Sequence, residues 1–239
     1  MKKYKMANVV FGAQYNFPFT EFFLKDYLYN GNEQAEFIVS VSSSDIEFER
    51  SLTPEFCDDE LENIALFRKL CDFLLEKKDI ILFHSSAIMV DDRAYLFTAP
   101  SGTGKSTHTR LYKEYFGERF AYINDDKPFI SIENDSVVVY GNPWTGKHGL
   151  GNNISAKVNG ICKLAQAKQN TIRKMQADEM LLTLLDQTER PQNIEMMDKL
   201  LTILEKVVKL VPSFYLGCDI SYDAVTTSYN AMKGDNCEN

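Results

Sequence analysis

The sequence predicts a mixed α/β fold, on three observations. Short β-prone runs alternate with stretches of helical period along most of the chain. One such run leads through a glycine-rich loop directly into a helical pattern. The composition, 44% hydrophobic and 25% charged over 239 residues, is that of a globular protein able to bury a core. The expected division is an N-terminal α/β region over 1–76, a core over 77–232 and a polar, disordered tail over 233–239.

Taken in order, residues 8–14 and 36–41 are β-rich. Residues 20–29 are aromatic and short enough for helix or strand, with helix preferred. The clearest helical period lies in 58–77, where Leu61, Ile64, Phe67, Cys71 and Leu74 recur at three and four, acids fill the first turn, and Lys77 and Lys78 close it. The apolar run 80–84 follows. Residues 87–90, the turn Asp91-Asp92 and residues 94–98 then read as a hairpin. A helix over 107–116, strands over 120–124, 136–140 and 158–165, helices over 176–187 and 193–210, a strand over 213–216 and a helix over 222–232 complete the pattern.

The strongest signal is Ala99-Pro100-Ser101-Gly102-Thr103-Gly104-Lys105-Ser106, which matches G-x-x-x-x-G-K-[ST] apart from Ala at the first position. In such a loop glycines let the backbone curl so that successive N–H groups face an anion, and the helix that follows adds its positive end. Ser101, Gly102, Thr103, Gly104, Lys105, Ser106 and Thr107 are thus the candidate nucleotide-phosphate residues. Lys105 is placed to reach the β- and γ-phosphates and Ser106 to offer a hydroxyl to Mg²⁺.

After the next helix the chain returns through 120–124 and presents Asp125-Asp126-Lys127-Pro128. A right-handed crossover brings this strand back parallel, with its C-terminal end on the loop's edge of the sheet. One acid can then hold the metal and the other accept a proton. The same four residues also suit a solvated turn. His84, ending an apolar run, can orient the acids or serve as a structural group. Asp91 and Asp92 need only the hairpin. The stretch 141–151 holds four glycines, the only tryptophan, Trp144, and the cation Lys147. It suits a loop closing over a phosphate or an acceptor, with Lys147 neutralising charge on the moving phosphoryl group.

The run from His84 through the glycine loop to Asp125-Asp126, followed by Gly149-Leu150-Gly151-Asn152-Asn153-Ile154, resembles the catalytic domain of HPr kinase/phosphorylase and the related peptide serine kinases. It is more remotely similar to the phosphoenolpyruvate carboxykinase-like P-loop fold. The resemblance spans about 80–174 and does not reach the first 75 residues. It implies a P-loop kinase core of that type carrying an N-terminal α/β extension, and a phosphotransferase using ATP and Mg²⁺ to phosphorylate a hydroxyl. It further implies that Asp125 is the general base, that Asp126 helps Ser106 hold the metal, and that His84 supports the acids. Where the family pairs an acid and an arginine ahead of the glycines, this chain has Gly146-Lys147-His148. That departure sets an HPr substrate and phosphorolysis apart from the kinase expectation.

The formal charge of −8 disfavours a general nucleic-acid binder, which needs basic surface. The charge is local: eight of the 34 acids and one of the 26 bases lie between Asp45 and Glu62, leaving 26 acids and 25 bases elsewhere. That segment reads as a solvated face or as a surface near the acceptor that selects a basic partner. No run is long and apolar enough to span a membrane, and five scattered cysteines without a C-x-x-C pair fit a reducing cytoplasm. The expected partners are ATP and a hydroxyl-bearing small protein, peptide or metabolite, with no nucleic acid and no membrane; a homo-oligomer is compatible with the same features. An ATP-binding regulatory module that transfers nothing, or a structural relic of such a protein, fits the same motifs. The guanine-recognition motif N-K-x-D is absent from the sequence.

Overall fold

The computed structural model describes residues 1–191 and 193–234. The tail expected over 233–239 therefore lies, from residue 235 on, outside the described residues. The chain divides into two units, Met1–Ile80 and the residues from Ile81 onward, and both are mixed α/β.

In the first unit β1 (Lys2–Met6) and β2 (Val9–Gln14) form an antiparallel hairpin. Its turn residues Ala7 and Asn8 both have positive φ, 47° and 62°, as a tight two-residue connection requires. After α1 (Pro18–Leu24), which runs into a single 3₁₀ turn at Lys25–Tyr27, β3 (Ile38–Ser40) adds parallel to β2. Residues 20–27 are thus helical, where the sequence allowed either element, while Leu28 makes an antiparallel bridge to Tyr4. Then come α2 (Ser43–Leu52) and α3 (Asp58–Lys78).

Helix α2 starts with a reciprocal cap in which the Ser42 hydroxyl accepts from Asp45 N–H and the Asp45 carboxylate accepts from Ser42 N–H. Of the expected stripe, helix α3 buries Leu61, Phe67 and Leu74 and leaves Ile64 and Cys71 half-buried, and it adds Leu66 and Leu70 to the buried face. The fully buried Glu62 turns its carboxylate to the start of α1, accepting from the N–H groups of Asn16 and Phe17 and from the Thr20 hydroxyl. Arg68 pairs with the buried Glu49, Lys69 with Asp45, and Arg50 with Asp58. Much of the acidic segment is therefore neutralised inside its own unit.

The second unit contains β4 (Ile81–Leu82), β5 (Ser86–Val90), β6 (Arg93–Thr98), α4 (Lys105–Phe116), β7 (Phe120–Asn124), β8 (Phe129–Glu133) and β9 (Ser136–Tyr140). It continues with β10 (Ser155–Gln166), β11 (Thr171–Lys174), α5 (Ala177–Asp186), α6 (Ile194–Leu210), β12 (Ser213–Cys218) and α7 (Tyr222–Met232). The strands make one sheet in the order β4-β8-β9-β10-β6-β5-β7, with β12 also paired to β10 and β11 to β12.

Strand β10 is long enough to pair with β9 at its start, β6 along its middle and β12 toward its end. Strand β5 is antiparallel to both β6 and β7. The crossover through α4 therefore returns β7 in the direction of β6, but one strand further out than a simple crossover predicts, because the β5–β6 hairpin occupies the neighbouring place. The C-terminal ends of β6 and β7 still open on the same edge.

One face of this sheet carries α4 and α7. Phe97, Cys162, Leu164, Phe214 and Leu216 from the strands meet Tyr112, Phe116, Val225 and Met232 from the helices. Each such side chain, fully buried, is worth about 1.5–3 kcal/mol. That packing fixes the first turn of α4 against the edge where β6 and β7 end. Among the described residues no helix is long and apolar enough to cross a membrane.

Candidate active site

Strand β6 ends in Thr98, whose hydroxyl donates to the His84 carbonyl (3.1 Å) and to Gln187 Oε1 (3.3 Å). The chain then turns through Pro100 to Gly104. Thr103 closes this loop, its N–H and hydroxyl both donating to the Pro100 carbonyl at 3.2 and 2.7 Å. Gly102 and Gly104 have φ of +78° and +112°, a region side chains with a Cβ rarely adopt, which is why the loop needs glycine there. Gly104 is the N-cap of α4 and offers no side chain to its first turn, and that turn holds no acid. The uncapped N–H groups and the helix's positive end are left for an anion. Lys105 is half-buried and donates to the Ala99 carbonyl at 3.1 Å. Burial pulls its pKa down, and the carboxylates of Asp126 and Asp125 partly counter that.

The acids are held by two buried amides. Asn124, the last residue of β7, accepts with Oδ1 from the N–H groups of Asp126 (2.9 Å) and Lys127 (2.7 Å). Its Nδ2 donates to Asn142 Oδ1 (3.1 Å), the Asn142 carbonyl (3.2 Å) and the Trp144 carbonyl (3.3 Å). Asn142 completes the clasp by donating to the Lys127 carbonyl at 2.6 Å. Both asparagines are fully buried, so the turn bearing the acids and the glycine stretch after β9 form one rigid piece. Gly141 belongs to the same joint, since a Cβ there would lie 1.9 Å from the Asn152 carbonyl oxygen.

Asp125 is 5% exposed, its carboxylate accepting from Thr109 Oγ1 at 3.4 Å and its carbonyl from Ser86 Oγ at 3.1 Å. Asp126 lies within 3.0 Å of His84 Nε2. Burial pushes the Asp126 carboxyl up, but the His84 hydrogen bond, with the charges of His84, Lys127 and Lys105, outweighs it and holds the carboxyl below its ordinary range. His84 thus supports the second acid of the pair, where the sequence left open which acid it meets. Lys147 and His148 sit in an exposed 3₁₀ turn, Gly146–His148, directly over Asp126. Trp144 is buried, 9% exposed, and anchors the stretch.

These groups line one cleft of about 520 Å³: His84, the loop and first turn from Ser101 to Thr107, Asp125, Asp126 and Lys147. Every residue that the sequence nominated for catalysis, phosphate or metal borders it. Asp91 and Asp92 lie outside, in the β5–β6 turn with φ of 49° and 59°, where Asp91 pairs with Arg119.

No family model matches the chain, and no curated protein matches it. Among solved structures the chain is similar to the Hpr(Ser) kinase/phosphatase from Coxiella burnetii, at 12% identity and a TM-score of 0.37, over 64% of this chain and 93% of that one.

A hydroxyl on Ser106 and a carboxylate on Asp126 facing one cleft fit a hard divalent cation that takes its remaining ligands from phosphate oxygens and water. Among the described residues no cluster of three or more His, Cys, Asp or Glu offers an all-protein cage. The residues that sequence reasoning missed are Asn124 and Asn142. The available signal was an Asn directly before an acid pair and another inside a Gly-Asn-Pro turn, polar residues that need partners once buried.

Proposed function

We propose that the protein is a Mg-ATP-dependent kinase that transfers the γ-phosphoryl group to a serine-like hydroxyl of a small protein, peptide or metabolite. The observation that carries this reading is the single cleft in which the glycine loop, the acid pair, His84 and Lys147 meet. The loop N–H groups and Lys105 hold the nucleotide phosphates. Ser106 and Asp126 hold Mg²⁺, which when bound screens the phosphate charge; an Asp126 carboxyl kept ionised by His84 and its neighbouring cations suits that work. Asp125 takes the acceptor's proton as the acceptor oxygen bonds to γ-phosphorus, and the bond from γ-phosphorus to the bridging oxygen breaks to release ADP. Lys147 neutralises charge on the phosphoryl group in flight.

The test is mass spectrometry of a cell lysate incubated with the protein, ATP and Mg²⁺. The expected result is one molecule that gains a phosphoryl group with the wild type and not with Lys105→Ala. Saturable ATP binding with no phosphorylated product across lysate and peptide libraries would instead identify a regulatory nucleotide-binding module.

A further inference from the structure

A second cleft, of about 430 Å³, opens on the other flank of the glycine loop. It shares residues 100–103 with the first cleft, and its remaining wall is Lys163, Leu164, Ala165 and Gln166 at the end of β10 together with Tyr215 of β12. Strand register makes this a built surface: β10 and β12 are parallel with Lys163 beside Tyr215, and Arg173 of β11 faces Tyr215 with its guanidinium 4.9 Å from the ring centre. Arg173 is itself fixed by two 2.8 Å hydrogen bonds to Glu179, and Gln166 Nε2 donates to the Thr103 carbonyl at 3.2 Å, tying the wall to the loop.

We propose that this cleft holds the nucleoside end of the bound nucleotide. The inference rests on the phosphate reading of the loop. If the terminal phosphate faces Asp125 and Asp126, the sugar and base leave the loop on the flank away from the acids, and the second cleft lies there. Its chemistry fits a heteroaromatic base better than another phosphate: a partly exposed tyrosine ring, the methyl group of Ala165 beside it, and the Gln166 amide able to read a ring edge. Lys163 gives the rim one positive charge, as suits the α-phosphate side of the ligand, while the Arg173 charge is paired with Glu179.

The test compares ATP with inorganic tripolyphosphate, each with Mg²⁺, by calorimetric titration of the full chain. Tyr215→Ala removes the ring and Ala165→Phe fills the space. Both are expected to weaken ATP at least about fivefold, the lower end for one aromatic–base stack, while tripolyphosphate binds as to the wild type, which also reports an intact loop. If ATP binds both variants as tightly as the wild type, or if ATP and tripolyphosphate weaken together, the nucleoside assignment is overturned and the phosphate reading stands. If the wild type binds neither ligand, the phosphate reading falls and takes this assignment with it.

Discussion

His108, on the inner face of α4, shows how one side chain can set a pH limit. It is 3% exposed, packed edge-on against the rings of Phe97 and Tyr112, and its Nε2 shares the Ser228 hydroxyl at 3.2 Å while Nδ1 has no hydrogen-bond partner. Burial lowers its pKa from 6.5 to about 4. The folded protein therefore keeps His108 neutral where the unfolded chain takes up a proton. Stability is full above pH 6.5 and is lost as pH falls toward 4, by on the order of 3 kcal/mol at the end of that window. Urea denaturation across that range should show the slope in the wild type and a flatter profile in His108→Leu; identical profiles would remove His108 as the cause.

At the scale of elements, the decisive joint is between β7 and the stretch after β9, where Asn124 and Asn142 clasp each other beneath Gly141. A methyl group at Gly141 would collide with the backbone of Asn152 and Ile123, not with a flexible side chain. Gly141→Ala should therefore cost about 3 kcal/mol or more, at the upper end for single substitutions, and lower activity along with stability. A melting temperature within a degree or two of the wild type would mean that the joint is soft.

The sequence made the elements of the two units readable to different degrees. The stripe of α3, the Asp91-Asp92 hairpin and the strand–loop–helix around Gly104 carry local signals, since period, turn chemistry and glycine spacing act over a few residues. Strand β8 carries less, because it begins directly after Pro128 and its register comes from β4 and β9. Helix α2 is masked by its charges and is betrayed only by the Ser42–Asp45 cap. The clasp between Asn124 and Asn142, and the meeting of His84 with Asp126, join residues 18 and 42 apart in the chain, and nothing short-range specifies them.

For the whole molecule, the second unit gathers loop, acids and cations at the edge of its sheet, while the first unit consumes much of its acidic charge in Glu49–Arg68, Asp45–Lys69 and the Glu62 cap. A ligand that binds only the folded state raises stability by mass action, about 2.7 kcal/mol at a hundredfold excess over Kd. Mg-ATP should accordingly raise the melting temperature of the wild type in a saturable way and leave Lys105→Ala unmoved. An equal rise in both would place the nucleotide elsewhere.

The most direct measurement is transfer of label from γ-labelled ATP to the acceptor by the wild type, Asp125→Asn and Asn124→Ala, each with nucleotide binding measured in parallel. The expected result is label on the acceptor with the wild type, loss of at least about 100-fold in Asp125→Asn while ATP still binds, and an intermediate rate in Asn124→Ala, where the acid is present but loosely held. Transfer by Asp125→Asn at the wild-type rate would contradict it.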